Sequence, residues 1–517
     1  MASRQPAPAP FKDLVDLSSD LLGTFVLYAT DDYFAGKENL VKPSAPLWLE
    51  DEYTDKGKWM DGWESQRKRE EGHDFAILRL GAPGFVKGAL VDTTHFKGNA
   101  PQEVALEGIE APHTWTPAQL LESNGWFEVI PRSAVKPNFP NEFALKNEKT
   151  RRVTHVRLRI YPDGGVARLR IYGEVAADER TFWRSGSVDL GAVENGGTIA
   201  AVSDEFFGPP SNMLLPGRGV NMGDGWETKR RRTPGSDWAV VRLARRGVVE
   251  RVELDTHFFK GNAPQAALME ALDGKDLSND ELEKRLRAPT GWTSLVDKTP
   301  LVQHRRHQLE PARPMPVTHV RVHIFPHGGV NRLRMFGYAL DTEAEAQARD
   351  RLNDLDEKKA RPLLHSFNGS TTWINQMLSR RPFTSVREIF QAADDIWWSL
   401  TNKDFLEAFA AHPRIGQKKK AATQTGRSAK WSKGEQKSVG EADPRVLKEL
   451  AKLNDQYFKK FGFIYIVMAS GKSASEMLAL LQDRVKRSKA AEIETAAREQ
   501  AKITRLRIEK WLREHAD

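Results

Sequence analysis

The block Leu406-Glu-Ala-Phe-Ala-Ala-His-Pro-Arg-Ile-Gly416 puts a histidine directly before a proline. Proline disfavours helical backbone in the residue before it, so His412 is expected at a helix end. A histidine there can act as a general acid or base near neutrality, or it can simply cap the helix. Downstream, Trp431-Ser-Lys-Gly-Glu-Gln436 gives Ser432 and Glu435 the spacing of a capping box. The first two thirds of the chain offer other chemistry. Asp92 stands in Val91-Asp-Thr-Thr-His-Phe-Lys-Gly-Asn-Ala-Pro101 and Asp255 in Leu254-Asp-Thr-His-Phe-Phe-Lys-Gly-Asn-Ala-Pro264. Each can be a base, a metal ligand or a loop cap. Gly98 and Gly261 are expected to let the backbone turn or approach a ligand. Arg157, Arg159, Arg168 and Arg170 are expected to share one sheet face, and so are Arg321, Arg332 and Arg334, with His319 and His323 beside them. Like charges so placed repel unless water, acids or an anionic ligand sit among them. An arginine fork matches a carboxylate side-on. Trp63-Glu64 and Trp226-Glu227 precede basic runs, where a structural ion pair and a functional role are equally open readings.

The elements that must position these residues occur twice. Asp61-Gly-Trp-Glu64 returns as Asp224-Gly-Trp-Glu227, and Asp92 as Asp255, each 163 residues on (224 − 61 and 255 − 92). Thr154-His-Val-Arg-Leu-Arg-Ile-Tyr-Pro-Asp-Gly-Gly165 returns as Thr318-His-Val-Arg-Val-His-Ile-Phe-Pro-His-Gly-Gly329. That period is too long for a solenoid unit and suits a duplicated domain. Both copies are rich in short alternating runs, such as Phe75–Leu80 and Trp238–Leu243, bounded by Gly and Pro. Val156, Leu158 and Ile160 are expected to face a core, with His155, Arg157 and Arg159 on the other side. Pro162-Asp-Gly-Gly165 is expected to turn a hairpin into Ala167–Tyr172. Many short strands predict a β-sandwich or jelly roll for each copy. The first copy carries an insertion of about ten residues around Leu47–Lys58. After Leu340 the pattern changes. Asp341–Arg361 reads as a linker helix, and helical periodicity follows from Pro362. Ile493, Ala497, Gln500, Thr504, Ile508 and Trp511 recur at helical spacing. Gly416–Gly440 reads as a basic loop.

Composition narrows the function. The 517 residues carry no cysteine, which excludes disulfides and thiolate chemistry, and 39% hydrophobic content is that of an ordinary globular protein. The N-terminus has no apolar core of a secretory signal and no stretch approaches a membrane span, so a cytoplasmic protein is expected. The net charge of +8 is dispersed, apart from Lys418–Lys420 and Arg230–Arg232, and no nucleic-acid module is visible. A solvated basic surface is the plain reading of that charge, and local positive potential attracting small anionic substrates is a further one.

Asp31-Asp-Tyr-Phe34, Gly62-Trp-Glu64, the Asp92…Gly-Asn-Ala-Pro101 run and Thr154-His-Val-Arg…Pro-Asp-Gly-Gly165, with their second copies, resemble the allantoicase family over about 15–340. The resemblance implies duplicated jelly rolls and hydrolysis of allantoate to (S)-ureidoglycolate and urea. Arg168 and Arg332, with Asp92 and Asp255, are then the expected substrate-binding residues. Some members are linked to a divalent metal, but no metal-ligand motif stands here, and His257 and His95 have no histidine counterparts in the other copy. Arg381-Pro-Phe383, Trp397-Trp398, the His-Pro-Arg-Ile-Gly block, Ser432…Glu435-Gln436, Asn454…Tyr457, Phe463-Ile464 and Arg484 resemble the OHCU (2-oxo-4-hydroxy-4-carboxy-5-ureidoimidazoline) decarboxylase family over about 362–490. That resemblance implies His412 as the catalytic histidine, Glu435 as its acid–base partner and Ser432 as a substrate donor. It also implies Arg484 as a substrate-binding cation and backbone contacts from Phe463 and Ile464. An early acidic residue usual in that family is missing from Phe367-Asn-Gly-Ser-Thr-Thr-Trp373.

The expected architecture is a flexible segment 1–18, jelly rolls at 19–176 and 190–342, a linker helix 343–361 and an all-α domain 362–517. The expected protein binds small anionic ureides, with no cofactor indicated, no nucleic acid or membrane, and a homo-oligomer allowed. The rival from another class is a sugar- or ligand-binding β-half with only the helical domain catalytic.

Overall fold

A computed structural model describes residues 11, 13–145, 151–184, 186–413, 431, 443–470 and 472–515. The chain divides into two compact units. One is Met1–Phe182 with Ser187–Leu340; the other is Trp183–Gly186 with Asp341–Asp517.

In the β unit each repeat is built on one very long strand, Asp74–Asp92 or Asp237–Asp255. Its first part pairs with Phe25–Ala29 and Arg152–Tyr161; its second part pairs with Arg168–Val175 and Pro140–Ala144. The sheet therefore folds over itself along this strand, at Gly81 and Gly84. A Cβ at Gly81 would lie 2.2 Å from the Leu22 carbonyl oxygen, so only glycine lets the layers close there. Val156, Leu158 and Ile160 are fully buried between the layers, as their alternation predicts. Trp63 and Trp226 are likewise fully buried.

The expected hairpin does not form. Val156–Ile160 lies opposite Leu78–Asp74, whereas Arg168–Tyr172 lies opposite Asp92–Gly88. Gly165-Val166 pairs with Trp63-Glu64 instead of with the preceding strand. The chain crosses between layers, so Arg157 and Arg159 do not share a face with Arg168 and Arg170. Acids match each set: Glu107 holds Arg157 and Arg159 at 2.6 and 2.8 Å, and Asp16 lies 3.4 Å from Arg170.

Gly98 and Gly261 lie in bends of the chain, and a Cβ built on either would meet nothing within 4 Å, although neither adopts a left-handed backbone. The left-handed residues are His95 and Phe258, at φ 73 and 69°. The close approach belongs to Gly164 and Gly328, where a Cβ would sit 2.6 and 2.4 Å from the carbonyl oxygens of Asn99 and Asn262.

The second unit is helical. Its last helix, Lys489–His515, buries Ile493, Ala497, Gln500, Thr504, Ile508 and Trp511 on one side, as the spacing predicts. Residues expected to link the halves form two helices, Glu343–Asp354 and Glu357–Phe367. Ala348 and Leu352 are fully buried in this unit's core, and Trp183 donates to Glu345 at 2.7 Å. The basic loop Gly416–Gly440 lies outside the described residues, apart from Trp431.

Candidate active sites

The repeated polar words fasten the loops at one end of each sandwich. Glu64 accepts from the Asn99 amide at 2.7 Å, and Glu227 from Asn262 at 2.6 Å. Among the described residues neither glutamate forms an ion pair; pairing of Trp63-Glu64 with Gly165-Val166, and of Trp226-Glu227 with Gly329-Val330, leaves each carboxylate to an asparagine amide hydrogen bond. Asp92 and Arg168 face each other across adjacent strands, and so do Asp255 and Arg332. Each aspartate caps its own loop, accepting from the Thr94 N–H at 2.9 Å or the His257 N–H at 2.8 Å.

The two copies part company at the arginine. Arg168 is buried and wholly engaged. Its Nη2 donates to Asp61 Oδ2 at 2.6 Å, its Nε to the Ser44 carbonyl at 2.9 Å, and its Nη1 to the Asp61 and Ala167 carbonyls. Ser44 and Ala45 belong to the loop that carries the first-copy insertion. That loop also gives the Leu47 N–H to Asp61 and sets Trp48 against His95, ring centroids 5.6 Å apart. In the second copy the loop is short. Asp224, the counterpart of Asp61, turns its carboxylate to the N–H groups of Val220 and Asn221. Arg332 spends only Nη1, on the carbonyls of Asp224 and Asn331 and on Asn331 Oδ1. Its Nε is buried without a partner among the described residues, and its Nη2 makes no hydrogen bond among them. Burial, and then the like charge of Arg334, pulls the Arg332 pKa below the usual arginine range. Arg332 therefore presents the Nε–Nη2 edge that Arg168 has already given away.

Three further positions differ in the loops around this arginine. His257 stands where the first copy has Thr94, His304 where it has Asn138, and Asn331 where it has Ala167. The backbone correspondences fix these pairings. Asn138 and His304 are both left-handed (φ 48 and 54°) and donate to the Phe96 and Phe259 carbonyls. Ala167 and Asn331 donate to the Asp92 and Asp255 carbonyls, both at 2.7 Å. The His257 and His304 rings lie 4.0 Å apart. The sequence discounts His257 for lacking a histidine counterpart and gives no sign of His304, which only the meeting of the two loops brings beside it.

On the outer face of the second copy, Arg321 and His323 share Glu270 at 2.6 and 2.9 Å. His323 also contacts Ser236 at 3.0 Å, over a cleft of about 310 Å³. His319 is buried beside Thr318, and burial lowers its pKa to about 4.

In the helical unit, His412 follows the helix Asn402–Ala410, its N–H donating to the Phe409 carbonyl at 3.1 Å. Phe463 packs 5.4 Å from Phe409 and 5.7 Å from Tyr457, centroid to centroid. The backbone at Phe463 and Ile464 leaves the helix Pro444–Phe461, and neither N–H finds a partner among the described residues. Arg484 is buried. Its Nε and Nη2 lie 2.7 and 2.5 Å from Glu492 Oε1, Nη1 donates to the Ile466 carbonyl at 2.8 Å, and the guanidinium sits 4.7 Å from the Tyr465 ring centroid. Burial pulls the Arg484 pKa down, but the Glu492 bonds outweigh it and the net shift is upward. Tyr457 donates to the same Glu492 oxygen, and burial pushes the Tyr465 phenol up to about 12. Ser432 and Glu435 lie outside the described residues. The stretch Phe367–Trp373 is a helix start: Ser370 caps it and Glu407 accepts from Thr371 at 2.6 Å. Among the described residues no three His, Asp or Glu side chains converge as metal ligands.

Residues 15–176 and 188–340 match the allantoicase repeat, and 353–509 match the OHCU decarboxylase model. An allantoicase of Dictyostelium discoideum is 43% identical over 332 residues, covering 64% of this chain and 88% of that protein. A probable allantoicase of Photobacterium profundum is 44% identical over 330 residues, covering 63% and 97%. The crystal structure of the Saccharomyces cerevisiae allantoicase superposes with a TM-score of 0.53 at 35% identity, covering 63% of this chain and 93% of that one.

Proposed function

The chain belongs to the allantoicase family over its two β-repeats and carries an OHCU decarboxylase domain after them, and on that premise we propose how its residues divide two reactions of ureide breakdown. The β unit hydrolyses allantoate to ureidoglycolate and urea. The helical unit decarboxylates OHCU to (S)-allantoin. The reactions are not consecutive, because the allantoin ring must be opened to allantoate between them. Both substrates are small anionic ureides. No helix among the described residues is long and apolar enough to cross a membrane.

The observation that carries the β-unit site is the free edge of Arg332. A buried donor without a partner costs about 1–3 kcal/mol, and a carboxylate gripped side-on by Nε and Nη2 removes that cost. The allantoate carboxylate therefore binds Arg332, with Asp255 and Asn331 beside it to order the ureido arms. Arg168 and Asp92 hold the matching loop of the first repeat and bind no substrate, since Arg168 has no donor edge left.

In the helical unit the roles follow the family resemblance. His412 is the catalytic acid–base group, with Glu435 as its partner and Ser432 as a substrate donor. The unpartnered N–H groups of Phe463 and Ile464 face ring oxygens or nitrogens. The resemblance gives Arg484 as a substrate-binding cation; with Nε and Nη2 held by Glu492 and Nη1 by the Ile466 carbonyl, it acts here by bracing the segment that carries Phe463 and Ile464. Loss of CO2 leaves an electron pair that delocalises into the imidazoline ring, and a positioned proton donor then sets the configuration. The boundaries that suit this division start the jelly rolls at 15 and 188 rather than at 19 and 190, because Val15–Asp16 and Val188–Asp189 pair with the strands at Gly173 and Gly337, and they give the decarboxylase 362–517 with its core completed by the helix Glu343–Asp354.

The test is urea release from allantoate by the full chain, with and without chelator, alongside circular dichroism of (S)-allantoin formed from urate-derived substrate. Urea and a growing allantoin signal are expected. A folded, metal-supplied protein that releases no urea overturns the first assignment; an unaccelerated allantoin signal overturns the second.

A further inference from the structure

We propose that His257 is the proton-transfer residue of the urea-releasing reaction, that His304 positions it, and that only the second repeat carries this pair. The proposal rests on the reading of the β unit as an allantoate hydrolase.

The two repeats provide the comparison. Their loops share a frame: Asp92 or Asp255 caps the next loop, a left-handed residue follows at His95 or Phe258, and a second one sits at Asn138 or His304. On that common frame the first repeat places groups that only hold the fold. Asn138 Oδ1 accepts from the His95 N–H at 2.8 Å, and the Pro46 carbonyl lies 3.3 Å from His95 Nε2. The second repeat replaces the asparagine by His304, whose Nδ1 accepts from the Phe258 N–H at 2.9 Å. Accepting at Nδ1 leaves the neutral ring's proton on Nε2, so the tautomer is set by the backbone. The His304 ring packs against His257 at 4.0 Å and 33°. The His257 carbonyl accepts from Asn331 Nδ2 at 3.4 Å, and Asn331 Oδ1 accepts from Arg332 Nη1 at 3.1 Å. The His257 backbone is thereby linked through Asn331, which also donates to the Asn221 carbonyl at 3.1 Å, to the arginine whose free edge binds the substrate carboxylate. Gly219 makes room for this link, because a Cβ there would lie 2.0 Å from Asn331 Oδ1.

The reaction needs one group that gives and then takes a proton. The bond between the central carbon of allantoate and one ureido nitrogen breaks. Its electron pair leaves with that nitrogen, which takes a proton from His257 and departs as urea. The remaining ureido nitrogen shares the positive charge left on carbon. Water then adds to that carbon and returns a proton to His257, giving ureidoglycolate. One water is consumed and no electrons are gained or lost.

The experiment is steady-state urea release by the full chain. His257→Asn should lower kcat by about 10²–10⁴-fold with KM nearly unchanged. His257→Gln repeats the measurement should the first variant fold poorly, as judged by its melting midpoint. His304→Asn installs the first repeat's solution and keeps an acceptor for the Phe258 N–H. It should lower kcat and alter the pH profile, in which His257, Lys260 and Asp255 are the charged groups facing His304. Thr94→Ala, the equivalent change in the first repeat, should leave kcat as it was. If the unaltered chain releases urea and both folded His257 variants keep its kcat, the proposal is overturned while the allantoate reading stands. If the unaltered chain releases none, both fall together.

Discussion

At the scale of single residues, two arginines that look equivalent in sequence are bonded differently. Arg168→Ala removes the buried partner of a buried carboxylate, Asp61, and leaves it only the half-exposed Lys42 as a cationic partner, at 3.1 Å. Breaking a buried pair from one side typically costs about 3–5 kcal/mol, so the variant should melt well below the parent. Arg332 forms no ion pair with a carboxylate among the described residues, although the buried Asp255 lies opposite it, so Arg332→Ala should cost less stability than Arg168→Ala. It should instead weaken allantoate binding by about ten- to a hundredfold, the worth of a charge-assisted contact of about 1.5–3 kcal/mol. Melting midpoints and KM measured on both variants check the contrast, and equal effects in the two would remove the distinction. Buried histidines make a second residue-scale statement. His155 and His319 have pKa values lowered by burial to about 4, from an ordinary 6.5. Each therefore stabilises the fold fully above the unfolded value, and that stability is lost as pH falls from about 6.5 towards 4. The loss is about 3 kcal/mol per histidine at most, on linkage grounds. The melting midpoint of the β unit should fall across that window, and His155→Asn should make the fall shallower. A parallel shift in parent and variant would argue against the buried neutral ring.

At the scale of elements, the first-repeat insertion separates two roles within one loop. Ser44, Ala45 and Leu47 bond to Arg168 and Asp61, whereas Tyr53–Thr54 and Gly57–Lys58 form a small exposed hairpin. Replacing residues 51–57 by a tight turn should leave urea release unaltered, because the proposed site lies in the other repeat. It should shift stability by no more than about 0.5 kcal/mol, as for other exposed changes. Lost urea release in a folded variant would place catalysis in the first repeat. The strand pattern was legible in Val156, Leu158 and Ile160, since alternation is a local property. The hairpin was not. Pro-Asp-Gly-Gly has the chemistry of a tight turn, but the partner of each strand is the distant Asp74–Asp92, and pairing with its two ends carries the arginines into different layers.

At the scale of the whole molecule, the two chemistries reside in separate compact units. His412→Asn should reduce decarboxylation by about 10²–10⁴-fold and leave urea release intact. Glu435→Gln should fall in the same range. The double variant should lose little more than the worse single one, because groups acting together are not additive. Allantoin circular dichroism and urea assays on one preparation check this. Decarboxylation at the parental rate in His412→Asn would return that residue to a helix-end role.

The sequence by itself determined the duplication, the change from β to helical architecture near Leu340, the helix end at His412 and the core face of the last helix. Each follows from local rules: repeat spacing, alternation, 3.6-residue periodicity and the backbone limits of proline. The tertiary structure alone decided which copy keeps an arginine edge free and which histidines meet. His257 and His304 are 47 residues apart (304 − 257) and come together only where two loops cross. Whether an arginine's donors are already engaged depends on carbonyls as distant as Ser44 from Arg168. Packing sets such contacts, and no local pattern in the chain records them.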